Sequence, residues 1–86
     1  MRIGFAHGLD GGFEAPMGQY LKKYFPDDQV DCLELPIEPS KAAEYLQKYN
    51  EIYRPSIIVG HSLGGFYTMM VPGPIKILVN PVMQPA

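Results

Sequence analysis

Ser56-Ile57-Ile58-Val59-Gly60-His61-Ser62-Leu63-Gly64-Gly65 decides how this chain is read. The run from Ser56 to Val59 is β-branched and free of charge, the pattern of a strand buried on both faces, as strands of parallel sheets are. The glycine-bracketed turn that follows leads into a short stretch ending at Pro72-Gly73-Pro74, which predicts a third helix stopped by those residues. Working toward the N-terminus, Arg54-Pro55 closes a helix carrying Ala42, Tyr45, Leu46, Tyr49 and Ile52 on one face, with Ser40 expected as its N-cap. Before it, Gln29 to Leu35 reads as a strand closed by Pro36 and Pro39, and Phe13, Met17, Tyr20, Leu21 and Tyr24 fall at helical spacing with Pro16 in the first turn. Arg2 to Ala6 is the first strand and Ile75 to Val79 the fourth.

Strands alternating with helices predict an α/β fold built from βαβ units. With the first and third strands side by side in the middle, a four-stranded parallel sheet of order 2-1-3-4 in three layers is expected, and right-handed crossovers put the first helix on one face and the other two on the opposite face. The carboxyl ends of strands one and three then meet where the winding reverses, the place where open α/β sheets bind ligands.

Composition narrows the function. The chain has 86 residues and a formal net charge of −2, with seven Lys and Arg scattered among nine Asp and Glu. One domain spanning residues 1–86 is expected, with no internal repeat or linker. No basic face is available for a phosphate backbone, so nucleic-acid binding is excluded. The apolar runs Ile57 to Gly60 and Ile75 to Val79 are far below the roughly 18 residues that span a bilayer, and no signal peptide is legible. Cys32 is the single cysteine, which rules out an internal disulfide and a Cys-x-x-Cys metal cluster and fits a reducing cytoplasm. No cofactor or metal is called for. Cys32, the tyrosines Tyr20, Tyr24, Tyr45, Tyr49 and Tyr53, and Met69 and Met70 are expected to pack on or cover the sheet, and the cluster Asp27, Asp28 and Asp31 to be solvated.

Gly60-His61-Ser62-Leu63-Gly64 matches G-x-S-x-G between a buried strand and a helix, the context that motif requires. A turn this sharp forces its serine into strained geometry with Oγ exposed, and side chains larger than hydrogen at the outer positions would collide. Ser62 is therefore the candidate nucleophile. The amide of Leu63 at the helix start, beside Gly64, is one candidate oxyanion donor. His7-Gly8-Leu9-Asp10-Gly11-Gly12 follows the neighbouring strand, and the Leu9 amide, beside Gly8, is the second.

His7-Gly8-Leu9, Tyr20-Leu21-Lys22-Lys23-Tyr24-Phe25-Pro26, Ile58 to Tyr67 and Leu78-Val79-Asn80-Pro81-Val82-Met83-Gln84-Pro85 together resemble the YqiA-type esterases of the α/β-hydrolase superfamily. The resemblance implies the N-terminal half of an α/β-hydrolase fold and a serine hydrolase of small esters or thioesters, with Ser62 attacking and the Leu63 and Leu9 amides holding the oxyanion. That superfamily places its acid and its histidine after the nucleophile. From Gly65 to Ala86 there is no Asp, Glu or His, so the segment carrying the general base is expected to be missing through truncation. A serine hydroxyl without a base is a poor nucleophile. His7 is the candidate substitute, with Asp10 to orient it, and His61 is expected to pack near the sheet. The alternative is a catalytically silent remnant serving as a binding or interaction module. The fourth strand, apolar except for Lys76, is expected to pair by its edge with a second copy or another partner.

Overall fold

A computed structural model describes residues 1–7 and 16–79. Its elements are β1 (Arg2–Ala6), α1 (Pro16–Tyr24), β2 (Gln29–Leu33), α2 (Pro39–Tyr53), β3 (Ile57–His61), α3 (Leu63–Thr68) and β4 (Ile75–Val79). The strands form one parallel sheet in the order β2-β1-β3-β4, as expected. β1 lies between Gln29–Leu33 and the start of β3, with Ile3 beside Ile57 and Ala6 beside Gly60. β4 follows β3 in register from Ile57 and Ile75 to His61 and Val79.

Alternation along each strand divides the core in two. On one face Ile3, Phe5, Val30 and Val59 are buried together and meet Met17 and Leu21 of α1. On the other, Ala6, Leu33 and Ile58 are buried with Ala42, Leu46 and Tyr49 of α2 and Tyr67 of α3. The helices thus sit one against two on the sheet.

Several local expectations give way. β2 ends at Leu33 rather than Leu35, because the Leu35 amide donates to the His7 ring at 3.0 Å instead of to a ladder. The N-cap of α2 is Glu38, extended at φ −68 and ψ 123, with Pro39 opening the helix; Ser40 lies inside it. Proline suits that first position because its missing N–H has no partner there anyway. β3 runs on through Gly60 to His61, and α3 is only six residues long. Of the five tyrosines expected on the sheet, only Tyr49 is buried. Tyr20 and Tyr24 stack on each other at the surface with centroids 6.3 Å apart, and Tyr45, Tyr53, Ile52 and Met70 are also exposed.

Asp31 is not solvated. Its carboxylate accepts from Arg2 Nε at 2.7 Å, Tyr49 Oη at 2.7 Å and Gln29 Nε2 at 3.0 Å, while Arg2 lies 4.6 Å above the Tyr53 ring. Burial disfavours the Asp31 charge, but the hydrogen bonds from Arg2, Tyr49 and Gln29 outweigh it and hold the carboxyl below its usual range. Burial, together with this bond to Asp31, pushes the Tyr49 phenol far up. Gly4 makes room for the arrangement, since a Cβ there would lie 2.7 Å from the Tyr49 ring. Among the described residues, no helix is long and apolar enough to cross a membrane.

Candidate active site at the end of the third strand

β3 delivers the chain to Ser62 with His61 still in register beside Val79. Ser62 then adopts φ 56 and ψ −121, outside both helix and strand regions, and α3 begins at the next residue. Such a conformation costs a non-glycine residue about 1–3 kcal/mol and persists only where the surroundings over-determine it. They do so from both sides. The Ser62 N–H donates to the Val79 carbonyl at 3.0 Å, and the Ser62 carbonyl accepts from Gly65 N–H at 3.0 Å and Phe66 N–H at 3.4 Å.

The two glycines are required by contact. A Cβ on Gly60 would lie 2.6 Å from Thr68 Oγ1 and 2.7 Å from the Gly65 Cα. A Cβ on Gly64 would run into the carbonyls of Ala6 and His7, 2.6 Å from the Ala6 carbonyl carbon. The first turn of α3 therefore rests directly on the carboxyl end of β1. Thr68, fully buried, ties this turn by donating from Oγ1 to the Gly64 carbonyl at 2.7 Å. Sequence patterning did not single out Thr68; the signal available was its spacing four residues after Gly64, on the helix face that Gly60 must approach.

His7 follows β1 and is buried. Its Nε2 accepts the Leu35 amide at 3.0 Å. To act as a base through Nε2 it must release that bond. His61, the last residue of β3, is half-buried, as is Ser62. Leu63 opens α3 and Gly64 follows, so their amides have no partner four residues back within the helix. Gly8, Leu9 and Asp10 lie outside the described residues. Cys32 sits under α1, where a Cβ on Gly18 would come 2.7 Å from its Sγ, and burial pushes its thiol up, away from the thiolate. Among the described residues no group of three His, Cys, Asp or Glu side chains is placed to hold a metal ion.

The arrangement presents one hydroxyl on a strained turn at the switch point of the sheet, with helix-start amides beside it. No known protein-family model matches the chain, and no curated protein matches it.

Proposed function

We propose that this chain is an esterase-like serine hydrolase of small esters or thioesters, of the kind its resemblance to YqiA-type esterases implies, with Ser62 as nucleophile. The observation that carries the reading is the backbone of Ser62 at φ 56 and ψ −121 between a strand and a helix, a strain that ordinary βα turns do not need. In this reaction Ser62 Oγ attacks the acyl carbonyl and its proton passes to solvent. The carbonyl oxygen becomes an oxyanion facing the Leu63 amide, with the Leu9 amide as second donor. The intermediate collapses to an acyl-serine and expels alkoxide or thiolate. Water then attacks the acyl-serine, releasing the acid and restoring the hydroxyl.

Without a general base the first step is slow, and activated esters whose leaving groups need no protonation are the substrates to try. Serine hydrolases stripped of triad members retain roughly 10³- to 10⁴-fold over water from the oxyanion hole and binding alone, a rate that does not need the serine. The expected result that carries the reading is therefore an acyl label on Ser62 that is absent in Ser62→Ala. Loss of turnover in His7→Ala with the fold retained would assign the base to His7. The second reading, a catalytically silent module, is favoured by the His7 Nε2 bond to Leu35. Ester turnover and acylation identical in parent and Ser62→Ala would establish it.

A further inference from the structure

The outer edge of β4 carries backbone groups and side chains that fit a second copy of themselves. Ile75 N–H donates to the Ser56 carbonyl at 3.1 Å, and the Val79 carbonyl accepts from Ser62 N–H at 3.0 Å. The N–H and C=O of one strand residue point to the same side, and successive residues alternate. Ile75, Ile77 and Val79 thus direct their backbone groups at β3, and Lys76 and Leu78 direct theirs outward. Among the described residues no strand pairs with that edge. Ile75 is 66% and Ile77 48% exposed. Lys76 is the only charge on the strand, and its ammonium bends back to the Pro74 carbonyl at 3.4 Å.

We propose that β4 pairs antiparallel with β4 of a second copy about a two-fold axis at Ile77. In that register Lys76 faces Leu78 of the second copy, and each such pair exchanges both of its outward hydrogen bonds. All four outward groups of each strand are then satisfied. Ile77 faces its own copy in the closer, non-hydrogen-bonded pairing, at a Cα separation of ~4.5 Å. Ile75 faces Val79, so three apolar cross-strand pairs line one face. The two lysines are offset from each other and no like charges meet. The equivalent register at the opposite edge of the sheet is disfavoured. Gln29 N–H donates inward to the Met1 carbonyl, so the central residue of β2, Asp31, would occupy the position that Ile77 holds in β4 and face its own copy, carboxylate against carboxylate. Pairing one strand buries less than the roughly 1,000 Å² of a stable interface, which makes this a weak, concentration-dependent dimer. It does not use Ser62 and stands or falls separately from the hydrolase reading.

The test uses the full chain with Cys32→Ala, carrying either Ile77→Cys or Ile75→Cys. The two-fold places position 77 within disulfide reach of its copy, whereas position 75 lies about 13 Å from its own, beyond reach. Mild oxidation is expected to give at least tenfold more cross-linked dimer from Ile77→Cys. Leu78→Pro removes only an outward N–H, a substitution an edge strand tolerates, and is expected to lower the dimer fraction at least tenfold with circular dichroism unchanged. Sedimentation showing only monomer up to about 1 mM overturns the proposal. Equal cross-linking at both positions overturns the register, and association unchanged by Leu78→Pro assigns the contact to another surface. A slowly exchanging Leu78 amide in the monomer gives the edge to the chain's own residues. If Leu78→Pro does not fold, the two cysteine variants decide alone.

Discussion

Ser62 holds an unfavourable backbone conformation, and the strain is a measurable quantity. A glycine at this position adopts φ 56 and ψ −121 without steric cost, which recovers about 1–3 kcal/mol. The added freedom of the unfolded chain takes back roughly 0.5–1 kcal/mol. Ser62→Gly is therefore expected to raise stability by about 1 kcal/mol in urea titration, while Gly64→Ala, driven into the Ala6 and His7 carbonyls, lowers it. A Ser62→Gly variant no more stable than the parent contradicts the strained turn. Ser62 was legible in the sequence because the constraint is local: two glycines and a hydroxyl within five residues describe the collision they avoid. The role of His7 was not. Its partner, the Leu35 amide, is 28 residues away, and composition offers no sign that a histidine after β1 ties down the exit of β2.

The elements show a similar division. Periodicity placed α2 correctly and identified Ala42, Leu46 and Tyr49 as its buried face, but it also counted Tyr45 and Ile52, which are exposed. A stripe of five apolar residues is wider than the contact one helix makes on a four-stranded sheet. Asp31 was misread with its neighbours because its partner Arg2 comes from another strand and becomes adjacent only through the β1–β2 register. That pairing makes the join between β1, β2 and α2 acid-sensitive. The Asp31 carboxyl is held below its usual range, so its contribution is complete above about pH 4, near the ordinary aspartate value, and disappears as pH falls through the lowered one. Asp31→Asn is expected to be less stable than the parent at pH 7, with the two curves converging below about pH 4. Parallel curves across that range would show that the charge contributes nothing.

At the scale of the whole molecule, alternation of strand and helix gave the parallel sheet, and right-handed crossovers gave the helix faces once the first and third strands were set side by side in the middle, the order the sheet has. How unevenly the faces are covered was not legible, because it depends on where short helices come to rest: α1 spans nine residues and lies over β1 and β2, leaving Ile75 and Ile77 of β4 open. The seat of Gly64 on the end of β1 also has a temporal meaning. The turn at Ser62 is held by contacts from opposite ends of the chain, Ala6 and His7 on one side and Val79 on the other. None of these exists until distant strands have met, and such pairings are the slow part of folding. The strained turn is therefore expected to form late, so that relieving it acts on the way out of the native state rather than on the way in. In stopped-flow measurements Ser62→Gly is expected to slow unfolding by roughly fivefold, the rate equivalent of about 1 kcal/mol, and to leave the folding rate unchanged. A faster folding limb would place the turn among the first structures the chain acquires.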